Sequence, residues 1–129
     1  MTWSGLTATA EQLRAGNEDM LPAGQYSDAA LQELYRAPAK AEMLLDLQSV
    51  VGTDTAVIDE ITDGNQSYLR AALSHKQLAI YYRLQDAGDG TVTRRRMEYY
   101  ERLYRADAIG FGRLVRASGA AVSTTIIRR

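Results

Sequence analysis

Few residues in this 129-residue chain have the types and spacing that catalysis or metal binding demands. His75 is the one histidine. It has no ligand-type partner four residues on, so a zinc site or a serine–histidine dyad would rest on it alone, and a structural or simply exposed role is expected. Glu98 and Glu101 could be imagined as an acid/base pair, but each precedes an arginine, Arg102 and Arg105 respectively, by four positions. Intrahelical ion pairs account for that spacing. Gly88-Asp89-Gly90 and Gly110-Phe111-Gly112 lack the further glycines and the Lys-Ser/Thr of a phosphate-binding loop. There is no Gly-x-Ser-x-Gly elbow, and the stretch from Asp86 to Asp89 lacks the regular acids of a calcium loop. The expectation is a binding protein rather than an enzyme, without metal or cofactor.

Two groups of residues point to binding instead. Eight tyrosines include the pairs Tyr81-Tyr82 and Tyr99-Tyr100. Such pairs could stack single-stranded nucleic acid, but at helical spacing one of each must face the core, which predicts packing with a polar edge. Arg94-Arg95-Arg96 stands at the start of a predicted helix, where the macrodipole disfavours cations. Either these arginines form a solvated charged turn, or they meet an anionic partner: a neighbouring subunit or a DNA backbone. Arg94, Arg95 and Arg96, with Arg102 and Arg105 farther along the same helix, are therefore the candidate inter-subunit or anionic-partner contacts.

The elements that must position them read as helices. Thr9 and Gln12 have capping-box spacing ahead of Gly16-Asn17, which predicts a short helix over 9–15. Pro22-Ala23-Gly24 reads as a turn, and Ser27 as the cap of a helix carrying Leu31, Leu34 and Tyr35. Pro38 must end or kink that helix near Arg36 and suits the first turn of the next, which runs to Val51 before Gly52. Residues 54–62 suit a short helix, although their β-branched content also suits a strand. After an Asp63-Gly64 turn, Asn65 can cap a long helix to Gln85 with Leu69, Leu73, Ile80 and Leu84 on one stripe. Thr91 or Thr93 can cap a last helix whose inward face holds Met97, Tyr100, Tyr104, Ala108, Phe111 and Val115. The fold expected is an all-α, small helical bundle with two long helices and an extended C-terminal tail, since residues 120–129 are β-branched and poor in helix formers.

Composition is that of one ordinary globular domain, 46% hydrophobic and 24% charged, with no apolar run long enough for a membrane span. The start, Met1-Thr2-Trp3-Ser4-Gly5, has no basic or continuous apolar signal, and cysteine is absent, so a cytosolic chain is expected. A net charge of −1 hides an uneven distribution. Residues 1–64 hold three basic groups against eleven acidic ones, and residues 65–129 hold twelve against five. Either the two halves neutralise each other within one fold, or an acidic flank of one subunit meets a basic flank of the next, as in head-to-tail rings.

The stretch from Leu31-Gln32-Glu33-Leu34-Tyr35-Arg36 to Glu42, and more so Arg96-Met97-Glu98-Tyr99-Tyr100-Glu101-Arg102-Leu103-Tyr104-Arg105 through Gly110-Phe111-Gly112-Arg113-Leu114, resembles the head–tail adaptor proteins of tailed bacteriophages. These are also called connector or head-completion proteins. The resemblance covers residues 27–117 and lies in helix lengths and in tyrosine- and arginine-rich faces, without an invariant motif. It implies a helical bundle of the virion neck that assembles in the host cytoplasm as a dodecameric ring below the portal protein. Such a ring extends the channel for packaged DNA and presents a platform for the downstream neck or tail protein, with no membrane involved. The isolated chain need not form the ring without its portal template. The resemblance also implies a terminal arm reaching onto the portal, for which Val122, Thr124, Ile126, Ile127, Arg128 and Arg129 are the matching residues. The chain then divides into an N-terminal lead of 1–26, which departs from the family pattern, a bundle of 27–117 and an arm of 118–129.

Two other readings stand beside this one. A small helical DNA-binding or regulatory module would use Arg94, Arg95 and Arg96 as phosphate contacts, against a near-neutral net charge and without a helix-turn-helix pattern. A small enzyme or toxin-like domain could assemble its site from ordinary residues.

Overall fold

The computed structural model describes residues 1–116 and 122. Six α-helices follow a 3-10 turn at Trp3–Gly5: α1 (Ala10–Arg14), α2 (Asp28–Glu33), α3 (Arg36–Val51), α4 (Thr55–Gly64), α5 (Gln66–Leu84) and α6 (Val92–Ile109). A second 3-10 turn, Gly110–Arg113, closes α6, and there is no β-strand among the described residues. The protein is a small all-α helical bundle. Its longest helices, α5 and α6, are the two expected, and α3 reaches 16 residues.

Local chemistry sets most boundaries. Thr9 and Gln12 form a capping box on α1, Ser27 accepts from Ala30 N at the start of α2, and Thr91 accepts from Arg94 N at the start of α6. Pro38 sits in the first turn of α3, where its missing N–H costs nothing. The junction before it turns sharply through Tyr35, the only described non-glycine residue with positive φ (51°). Gly52, at φ 85°, ends α3. Residues 55–64 are helical, and Asp63-Gly64 forms the last turn of α4 instead of the separate turn expected.

Asn65 stands between α4 and α5 but does not cap α5. Its amide Nδ2 donates to the carbonyls of Ile61 and Val115, and its Oδ1 accepts from Val115 N at 3.2 Å. The side chain therefore ties the segment after α6 to the α4–α5 corner.

The central helix is α5, which packs against α1, α3, α4 and α6. Cover on several sides buries every residue from Gln77 to Tyr82, so Tyr81 and Tyr82 are both interior, where helical spacing predicted one of the two. Leu84, expected on the buried stripe, is 58% exposed. Tyr99-Tyr100 obeys the expected division, with Tyr100 buried and Tyr99 exposed. Along α6 the inward face is Tyr100, Tyr104 and Ala108, continued by Phe111, whereas Val115 lies at the surface.

The N-terminal lead belongs to the same core as the bundle. Leu6, Leu13 and Leu21 are fully buried, and the Lys40 ammonium of α3 donates to the carbonyls of Trp3, Ser4 and Leu6. Asn17, also fully buried, bonds both Tyr82 and Tyr100. No break in the core separates residues 1–26 from those that follow.

Candidate assembly surface

The α5–α6 pair positions the residues singled out from the sequence. The two helices run side by side, joined by tyrosine contacts: Tyr82 is stacked on Tyr100, and Tyr68 of α5 meets Phe111, just beyond α6, edge to face. His75 of α5 sits in the same seam, its Nδ1 2.6 Å from Asp107 Oδ2 and its ring stacked on Tyr100. The neighbouring Ser74 hydroxyl donates to the Ala71 carbonyl and not to this pair. Among the described residues no group of His, Cys, Asp and Glu could hold a metal ion. No described helix is long and apolar enough to cross a membrane.

The arginine triplet divides into three different roles. Arg94 folds back onto the loop before α6, with its Nε 2.8 Å from Asp86 Oδ2 and its Nη1 3.3 Å from Asp89 Oδ1. Asp86 holds the Arg94 guanidinium above its usual range, and Arg94 with the Gly88 N–H holds the Asp86 carboxyl below its own. Arg96 reaches Asp19 Oδ1 at 2.9 Å and the Tyr82 hydroxyl at 3.1 Å. The Asp19 hydrogen bond raises Arg96, and Arg96 in turn lowers Asp19. Asp86 and Asp89, close to the helix N-terminus, supply the anionic charge that the macrodipole argument required. Their positions eight and five residues before Arg94 were the signal available in the sequence.

Arg95 alone of the three points to solvent. With it on the outer face of α6 lie Arg102 and the apolar Tyr99 and Ile109, 47% and 59% exposed. Arg105, also exposed, borders the cleft between α5 and α6. The expected pairs Glu98–Arg102 and Glu101–Arg105 do not form: among the described residues, the ion pairs of α6 arginines are those of Arg94 and Arg96. Exposed i,i+4 pairs contribute only about 0.3–0.5 kcal/mol, too little to hold long side chains against solvent.

Both readings of the charge imbalance have a structural counterpart. Arg96–Asp19 and Lys76–Glu42 join the basic second half to the acidic first half inside the molecule. Other charges stay outward: Asp54 and Glu60 are exposed on and beside α4, whereas Asp63, also exposed, meets the Met1 ammonium at 3.0 Å. That helix packs on α3, α5 and the first 3-10 turn but makes no contact with α6.

Of the arm residues, Val122 is 6% exposed, and its N–H donates to the Leu114 carbonyl at 2.9 Å. It packs with the core rather than projecting from it. Thr124, Ile126, Ile127, Arg128 and Arg129 lie outside the described residues.

No family model, curated protein or solved structure matches this chain.

Proposed function

We propose that the protein is a structural component of a phage virion, a head–tail adaptor that forms a ring below the portal and extends the DNA channel to the neck or tail. The observation that supports this best is the separation of two exposed surfaces of opposite character. The outer face of α6 offers Arg95, Arg102, Tyr99 and Ile109, and the α4 flank, on helices that do not touch, offers Asp54 and Glu60. Surfaces that complement each other but lie apart on one subunit generate head-to-tail contacts, and these close into rings when the rotation permits. Tyrosine and arginine are the residue types that carry most energy at such interfaces.

The DNA-binding alternative is less well supported. Two of its three candidate phosphate contacts, Arg94 and Arg96, are engaged by carboxylates of the chain itself. In the adaptor reading the portal-docking arm comprises Thr124, Ile126, Ile127, Arg128 and Arg129, with Val122 as its anchor on the bundle.

Sedimentation of the purified chain over a range of concentration and salt tests the surface pairing. Self-association should weaken as salt rises, because attraction between exposed charges is screened beyond about 10 Å at 0.1 M. Arg95→Glu with Arg102→Glu should abolish it while the helical spectrum is retained. Association that ignores both salt and the double reversal would remove the support from this reading.

A further inference from the structure

Next to the proposed assembly face, with which it shares Ile109, the bundle holds a cleft of about 560 Å³ lined by α5, α6 and Asp46 of α3. Its size lies within the range of small-molecule sites, roughly 300–1,000 Å³. The floor is apolar, made of Ala79 and Ile80 from α5 and Ala108 from α6, with Ile109, 59% exposed, at the rim. Alanine on both walls leaves the gap open where larger side chains would have filled it.

The polar groups fall into two sets. Tyr104 donates to Asp46 Oδ2 at 2.5 Å, and the Lys76 ammonium lies 4.6 Å from the Tyr104 ring centroid and 3.3 Å from Glu42 Oε1. These groups build the inner wall and are engaged with one another. Arg83 from α5 and Arg105 from α6 also line the cleft, and neither has an ion pair or hydrogen bond among the described residues. Glu101 is the one carboxylate of the lining without such a bond.

We propose that this cleft binds a small amphipathic anion, with a carboxylate or phosphate head held by Arg83 and Arg105 and an apolar body laid on Ala79, Ile80 and Ala108. Two guanidinium groups, one from each helix, present planar donors that match a carboxylate or phosphate, and neither is bonded to a described acidic side chain, Glu101 of the same lining included. An apolar body would cover the floor and the exposed side of Ile109, adding the burial that an inorganic ion cannot supply. Neither feature alone selects the ligand class; their convergence in one cleft does.

The test uses the full chain at low salt, with 1-anilinonaphthalene-8-sulfonate as fluorescent probe and decanoate, decanol and inorganic phosphate as competitors. Saturable one-to-one probe binding is expected, displaced by decanoate but not by decanol or phosphate at the same concentration. Arg83→Gln with Arg105→Gln should weaken decanoate binding by about tenfold or more, and Ile109→Ser, at an exposed position, should weaken it by a smaller factor. Arg116→Gln, an exposed arginine outside the cleft, should leave it unchanged, with circular dichroism confirming the fold of each variant. Equal displacement by phosphate would reduce the site to a patch of charge, and equal displacement by decanol to an apolar groove. Either result, or unchanged affinity in the double glutamine variant, or probe binding without saturation, overturns the proposal.

Discussion

Tyr82 of α5 and Tyr100 of α6 lie face to face, 6.0 Å between ring centroids and 4° from parallel, and both hydroxyls end on one residue, Asn17. The Asn17 Nδ2 donates to the Tyr100 oxygen at 2.8 Å, and its Oδ1 accepts from Tyr82. A single amide from the N-terminal lead thus bridges the two phenols that close the main helix pair, with Arg96 as the second partner of the Tyr82 hydroxyl.

Asn17→Ala should therefore be costly although it removes few atoms. It leaves the Tyr100 hydroxyl without its partner and the Tyr82 hydroxyl with the Arg96 donor but no acceptor for its own proton, and each unmet group costs about 1–3 kcal/mol. A loss of about 2–4 kcal/mol in urea unfolding is expected, with a melting temperature lower by roughly 10 °C. A change within experimental error would show that the lead is a passive covering of the bundle.

The buried tyrosines set the alkaline limit of stability. Burial, with Tyr26 close by, pushes the Tyr81 hydroxyl up to about 12, and burial also raises Tyr82 against the opposing pull of Arg96. A phenol whose folded pKa is raised favours the native state while it stays protonated. That contribution is complete below the ordinary tyrosine value near 10 and is lost as pH rises through the folded value. Absorbance at 295 nm should show exposed tyrosines ionising first, with Tyr81 and Tyr82 appearing only with loss of helical signal. Tyr81→Phe should move the unfolding midpoint to higher pH.

At the acid end the sign is reversed. Arg96 lowers Asp19, and Arg94 lowers Asp86, so each carboxylate contributes stability above its unfolded pKa and loses it as pH falls through the folded one. Denaturant midpoints should be flat above about pH 5 and decline below about pH 4. In Asp19→Asn with Asp86→Asn that decline should be shallower, and an identical acid limb would show that these pairs contribute nothing.

What the sequence disclosed, and what it hid, divides along the range of the interactions. Thr9, Ser27 and Thr91 bond backbone groups three residues away, so their caps are legible as spacing. Asn65 looks the same in sequence, but its partners include Val115, 50 positions on, and that competition takes the side chain away from the helix start. Periodicity gives the phase of a buried stripe and not its width. Tyr81 is interior because α5 is covered on several sides, and Leu84 is exposed where the stripe alone would bury it. The arginine triplet was legible as an electrostatic anomaly, and its resolution lay partly in sequence, in Asp86 and Asp89, and partly in the fold, in Asp19. The cleft between α5 and α6 was not legible. It arises from two alanines, Ala79 and Ala108, that only tertiary packing brings to the same gap.

The adaptor reading is tested most directly by electron microscopy of the chain mixed with portal rings encoded by the same genome. The account predicts a ring of this protein, one subunit for each portal subunit, coaxial with the portal and continuous with its channel. In that ring the outer face of α6 should meet the α4 flank of the next subunit, and Arg95→Glu with Arg102→Glu should prevent closure. Portal rings that stay bare, or that bind the chain without a closed ring around the channel, would contradict it.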